Sequence, residues 1–164
     1  MKVYTKKWTQ FIPRPLDEVW EFFSRPENLN EVTPKEMNFE ILTDIANQEM
    51  YEGMIISYKV TPVFGIRMRW TTEIQRIKKG EYFVDEQRFG PYAMWHHEHH
   101  FREADGGVYM TDLLHYAIPF GPIGRLANFI MVNNKIEEIF EFRVKAVERL
   151  FGASLKIKKR LITK

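Results

Sequence analysis

The sequence has no cysteine among its 164 residues. Disulfide staples, thiolate nucleophiles and Cys-based zinc sites are therefore excluded together. The same absence fits a reducing compartment. Nowhere does an apolar run approach the roughly 18 residues of a membrane-spanning helix. The opening MKVYTKKWTQF lacks the apolar core of a secretory signal, so the expectation is a cytoplasmic protein. No nucleophile-elbow, P-loop, GxGxxG or HExxH pattern occurs, which leaves no short motif to name a reaction. Charge of one sign is also missing. The net charge is only +2, and residues 153–164 hold Lys156, Lys158, Lys159, Arg160 and Lys164 with no acid. Without those five the chain is slightly acidic, which excludes a broad nucleic-acid surface. The basic end reads as a solvated tail, 153–164, behind a single domain of residues 1–152.

What is present is aromatic surface. Phe, Tyr and Trp make up 15% of the chain, enough either to fill a core or to line a cavity for an apolar guest. The order of elements narrows the choice. Residues 3–12 alternate and read as a strand ended by Pro13. Pro15-Leu16-Asp17-Glu18 opens a helix, because Pro fits the first helical position and acids favour the positive end of the dipole. A second short helix begins near Pro26, and Thr33-Pro34 closes that section. Alternating segments at 37–44, 51–61, 66–78, 81–89, 94–103 and 108–118, separated by turn signals, predict an antiparallel meander. From Pro122 to Phe151 apolar residues recur every three or four positions, among them Leu126, Phe129, Ile130, Ile136, Phe140 and Val147. That spacing predicts one long helix with a wide apolar stripe, stopped at Gly152. The architecture expected is α+β: a curved antiparallel sheet of about seven strands wrapped around a long C-terminal helix, with two short helices after the first strand.

The run Trp95-His96-His97-Glu98-His99-His100-Phe101 holds four of the five histidines. Read with a period of two, it places Trp95, His97, His99 and Phe101 on one face and His96, Glu98 and His100 on the other. The first face mixes aromatics with titratable rings, as a ligand cavity does. Two turns extend the reading. A hairpin centred on Gly106-Gly107 pairs Phe101 with Asp112, His99 with Leu114 and His97 with Tyr116. A three-residue loop at Gly90-Pro91-Tyr92 pairs Trp95 with Gln87 and His97 with Asp85. His97 is then expected between Asp85 and Tyr116, and His99 near Asp112, all within reach of hydrogen bonds.

Three readings compete for this cluster. A hydrogen-bonded network can orient a pocket without any chemistry, since buried polar groups must be paired. A His–Asp pair can also do acid–base work, with His97, Asp85 and Tyr116 as candidate catalytic groups. Thirdly, His-x-His with Asp85 or Asp112 offers three N/O donors that suit zinc. Nearby carboxylates orient histidines without a metal as well, and the sequence reading assigns no metal and no cofactor.

The chain resembles the START-like (SRPBCC) superfamily. The likeness rests on Ile12-Pro13 through Leu16-Asp17-Glu18-Val19-Trp20-Glu21-Phe22-Phe23, on Pro26-Glu27-Asn28-Leu29, and on Val32-Thr33-Pro34. It continues through Gly90-Pro91-Tyr92, the histidine strand, Asp112, Tyr116 and Pro119-Phe120-Gly121-Pro122-Ile123-Gly124, covering about residues 3–151. The resemblance implies the helix-grip fold of Bet v 1 allergens, START lipid-transfer domains and polyketide cyclases. Fold does not fix chemistry, and no catalytic set transfers. The function expected is binding of an apolar or amphipathic small molecule (a lipid, polyketide-like or aromatic metabolite) between sheet and helix. Trp70, Trp95, Phe101 and Tyr116 are the expected apolar walls. Asp85, Gln87, His97, His99 and Asp112 are the expected polar contacts. The alternatives are a cyclase- or hydrolase-type enzyme with His97 as general acid/base, and a regulatory interaction module.

Overall fold

The first strand shows why the sheet forms where it does. β1 (Tyr4–Ile12) alternates exposed and shielded residues until Gln10 and Ile12 are buried, the pattern of a strand with one face on a core. This computed structural model describes residues 1–45, 48–62 and 65–152; the basic segment 153–164 lies outside them. α1 (Leu16–Phe23) follows Pro15, carries Asp17 and Glu18 in its first turn, and buries Val19, Trp20 and Phe23. Short 3₁₀ turns at Pro26–Val32 and Lys35–Met37 come next.

Six further strands complete the sheet: β2 (Glu40–Ile41), β3 (Ile55–Val60), β4 (Met68–Lys78), β5 (Tyr82–Phe89), β6 (Met94–Ala104) and β7 (Gly107–Ala117). Every pairing is antiparallel, and the spatial order is β1-β7-β6-β5-β4-β3-β2. Register shifts on β4 at Thr71/Thr72 and Ile74/Arg76 bend the sheet, as bulges do. The strand expected over 37–44 is reduced to two paired residues, because the 3₁₀ turn at Lys35–Met37 runs into left-handed Asn38.

A helical run of 31 residues crosses the concave face. It comprises α2 (Gly121–Ala127), a π-turn at Asn128–Val132, and α3 (Asn133–Phe151). Gly152, at φ 95°, ends it. The expected apolar stripe holds in α3, where Ile136, Phe140, Val147 and Phe151 are buried. It fails further back: Leu126, Phe129 and Ile130 are exposed, and Gly124, Asn128 and Val132 are buried instead. The π-turn inserts extra residues into one turn, so the face read from α3 does not continue through it.

The β6–β7 hairpin departs from the predicted register by two residues. Ala104 pairs with Gly107, leaving Asp105-Gly106 as the loop. Gly106 alone takes a positive φ, 77°. Gly107 has another reason to lack a side chain: a Cβ there would lie 2.2 Å from the Ile12 carbonyl oxygen. A slip of two keeps every side chain on its predicted face but changes its neighbour. Phe101 opposes Met110, His99 opposes Asp112, His97 opposes Leu114, and Trp95 opposes Tyr116. His97 opposes Asp85 across β5, as the loop at Gly90 predicts.

Candidate functional site

The sheet's concave face and α3 do not close on each other completely. A cavity of about 170 Å³ remains between them. Its walls are mostly apolar, with Tyr58, Trp70, Tyr92, Trp95, Ile136 and Phe140 prominent. The 3₁₀ segment contributes Pro26, Leu29 and Val32. Half-buried Asn28, Leu29 and Ile139 stand where the lining reaches the surface.

At one end the wall turns polar. Asp85 on β5, His97 and His99 on β6, and Arg143 on α3 all line the cavity. The alternation of β6 delivers both imidazoles to the same face, and their ring centroids are 3.8 Å apart. His97 Nε2 is 3.1 Å from Asp112 Oδ1, and its Nδ1 is 3.6 Å from Asp85 Oδ2. His99 bridges the same two carboxylates, with Nε2 2.8 Å from Asp85 Oδ2 and Nδ1 2.9 Å from Asp112 Oδ1. The ring of His99 stacks on Phe83 at 4.1 Å, and Phe140 meets His97 edge-on at 5.3 Å. Arg143 reaches down from the helix, its Nε 3.7 Å from Asp112 Oδ2, with its guanidinium over the Phe23 ring.

Burial and charge act against each other here. Burial works to raise the Asp112 carboxyl, but the Arg143 charge and the bonds from both histidines outweigh it and hold it well below the usual range. Asp85 is lowered in the same way: against burial stand the His99 bond and the charges of His97, His99 and Arg143. Burial presses His99 down too, yet its bonds to Asp112 and Asp85 win and raise it. His97 is lowered by burial and by the charge of His99, in spite of its bond to Asp112. The two carboxylates thus favour positive charge on His99 and on Arg143, while burial and the neighbouring ring disfavour it on His97.

Two buried donors on the lining residues make no hydrogen bond among the described residues: Trp70 Nε1, and Arg143 Nε, which keeps only its ion pair to Asp112 at 3.7 Å. A buried donor left unmade costs about 1–3 kcal/mol.

The predicted site residues divide between wall and support. Trp70, Asp85, Trp95, His97 and His99 line the cavity. Asp112 lies behind the histidines and bonds both. Gln87 turns away to clamp the loop, its Nε2 donating to the Tyr92 carbonyl at 2.7 Å and its Oε1 accepting from the Tyr92 N–H at 3.2 Å. Phe101 packs under α1, 5.4 Å from Trp20 and 5.6 Å from Phe23. Tyr116 does not meet His97. The shifted register puts it opposite Trp95, and its hydroxyl donates to Asn128 Oδ1 at 3.1 Å. Arg143 was not foreseen from the sequence. Its signal is a lone cation three residues after Phe140 and four before Val147, on the buried face of α3. The lining from Pro26–Val32 had no such signal.

Comparison with known proteins fits this geometry. The family described as "Polyketide cyclase / dehydrase and lipid transport" matches residues 12–154. Among solved structures, a protein from Chromobacterium violaceum superimposes with a TM-score of 0.69 at 13% identity, over 92% of this chain and 99% of that one. A Thermus thermophilus protein gives 0.64 at 16% identity, over 89% and 95%. A major latex-like protein of Panax ginseng gives 0.65 at 13% identity, over 91% and 97%. At such identities the likeness shows the fold. No curated protein matches the sequence significantly. Among the described residues no helix is long and apolar enough to cross a membrane. The match over most of the chain and the seven-stranded helix-grip sheet agree, and the chain belongs to the polyketide cyclase / dehydrase and lipid transport family of the Bet v 1-like SRPBCC superfamily.

Proposed function

We propose that the protein binds a small amphipathic molecule between the sheet and the C-terminal helix, acting in the cytoplasm. The apolar body of the guest lies against Tyr58, Trp70, Trp95 and Phe140, and an acceptor-bearing end, a carbonyl or carboxylate, faces Arg143 and the two histidines. The observation that carries this reading is a mostly apolar cavity whose wall turns polar where Asp85, His97, His99 and Arg143 line it. An acceptor on the guest can pair with the Arg143 guanidinium, whereas a pure hydrocarbon leaves the polar end of the wall unmatched. Volume limits the guest. The 170 Å³ present is close to the ~150 Å³ of an apolar cavity that takes up benzene, and below the ~300–1,000 Å³ typical of drug-sized ligands. A single-ring aromatic acid or a short-chain acid fits that space.

Native mass spectrometry of gently purified protein, and Trp emission during titration with aromatic and short-chain carboxylates, test the reading. A retained small molecule, or a saturable change in emission, supports it. Arg143→Met is then expected to lose the preference for a carboxylate over its neutral amide. No retained mass and no change in emission would refute it. A catalytic reading has one observation in its favour: His97 lines the cavity and is oriented by Asp112. Its sign is turnover that disappears in His97→Ala with the fold intact.

A further inference from the structure

The two imidazoles stand side by side between two carboxylates. One nitrogen of each ring faces Asp85 Oδ2, Nδ1 of His97 at 3.6 Å and Nε2 of His99 at 2.8 Å. The other nitrogen of each faces Asp112 Oδ1, at 3.1 and 2.9 Å. Asp85, His97 and His99 line the cavity and Asp112 does not, lying behind the rings with Arg143 beside it. We propose that Asp85, His97 and His99 bind one divalent first-row transition-metal ion of the zinc type, with Asp112 holding both imidazoles from behind and a free coordination position turned to the cavity.

Geometry supports the ion first. One donor atom from each of the three residues lies within 4.8 Å of the others. A tetrahedral site with metal–ligand bonds of about 2.0–2.1 Å has edges of about 3.4 Å. The separation of 3.6 Å between Asp85 and His97 already matches such an edge. The 2.8 Å between Asp85 and His99 is a hydrogen-bond length that opens by roughly half an ångström when an ion replaces the shared proton.

The support behind the donors is the second argument. A metal-bound histidine almost always gives its other ring N–H to a carboxylate or carbonyl. Here Asp112 Oδ1 accepts from His97 Nε2 and lies 2.9 Å from His99 Nδ1, which Arg143 Nη2 also approaches at 3.4 Å. Arg143 stands at the other oxygen, 3.7 Å away, and its charge keeps a second cation off that side.

Charge and donor type complete the case. Arg143 balances one of the two buried carboxylates, so the other needs a positive partner on the cavity side. A divalent ion held by Asp85, His97 and His99 supplies it. Two imidazoles and one carboxylate suit zinc or its neighbours, whereas magnesium and calcium prefer oxygen. Three protein donors with a free fourth position match catalytic rather than structural zinc sites. The ion would sit beside the proposed guest but does not depend on it, so failure of guest binding leaves this proposal standing.

The test is titration of chelator-dialysed protein with Co²⁺. One equivalent is expected to bind, with the visible absorption of a low-coordinate N/O site and quenching of Trp95, whose ring is 6.3 Å from that of His97. Asp85→Asn and His99→Gln are expected to lose binding at least tenfold. The double variant His96→Gln/His100→Gln on the outer face should retain it. Near-UV circular dichroism checks that each variant is folded. If the inner variants do not fold, imidazole NMR of the wild type decides. Paramagnetic loss of the His97 and His99 ring signals supports the site, and loss of only the His96 and His100 signals overturns it. No Co²⁺ uptake by the wild type, or uptake abolished only by the outer-face variant, also overturns it.

Discussion

Replacing Asp112 by Asn removes one charge and almost no volume, so it isolates what that carboxylate does. Asp112 is 6% exposed, Arg143 8% and His99 3%, so the surviving charges cannot turn to water. The amide oxygen can still accept one hydrogen bond, and the loss falls on electrostatics. Breaking one partner out of a buried ionic network costs about 3–5 kcal/mol. With a urea slope of roughly 2 kcal/mol per M, that loss lowers the unfolding midpoint by roughly 2 M. A second change separates charge from shape. Adding Arg143→Met to Asp112→Asn removes one positive and one negative charge together, so the double variant is expected to recover about 2 kcal/mol or more over the single one. Equilibrium urea denaturation of chelator-treated protein near neutral pH measures both. A loss below about 1 kcal/mol in Asp112→Asn, or a double variant no more stable than the single one, would refute the charge balance.

Phe140→Ala is expected to cost about 3–5 kcal/mol, because Phe140 is buried and stacks on Trp8 at 3.8 Å. Since Phe140 also lines the cavity, calorimetric titration should show that the variant accepts a bulkier aromatic acid than the wild type. Gly107→Ala forces a methyl group against the Ile12 carbonyl. Thermal unfolding is expected to show a lower midpoint than for Gly53→Ala, where a Cβ meets nothing within 4 Å and the cost is confined to a positive φ of 82°. Burial pushes Tyr58 and Tyr92 above their ordinary value of 10.0. Unfolded tyrosines release protons near pH 10 that these two retain when folded, so the stability they support is lost as pH rises above 10. Ultraviolet phenolate absorption and denaturation at increasing pH check the sign. Ionisation of all seven tyrosines near pH 10 in folded protein would contradict it.

The parts of the fold legible in the sequence are those governed by repeating patterns. Alternation along β6 places His97, His99 and Phe101 inward because a strand has a period of two. The spacing of Ile136, Phe140 and Val147 marks the buried face of α3 in the same way. What was hidden depends on single events. The hairpin register turns on whether one glycine or two serve the loop, and the answer lies in the distant approach of Ile12 to Gly107. The face of α2 depends on a π-turn that no periodicity announces. Tyr116 is legible as inward-facing, but its partner follows from the register and from Asn128 on the far side of that π-turn. Arg143 is a single polar residue on an apolar stripe, and its importance shows only when Asp112 is seen beneath it.

The pairing of the first strand with the last has a consequence for how the chain is made. Thr5 and His115 are joined across a sequence separation of 110 residues. At about 5–20 residues per second, ribosomal synthesis leaves β1 waiting roughly 5 to 20 seconds for β7. In that interval Trp8 has no sheet to join, and the nascent segment is exposed to chaperones. Lys2, Lys6 and Lys7 give that waiting segment a charge that opposes premature self-pairing, as edge strands commonly require.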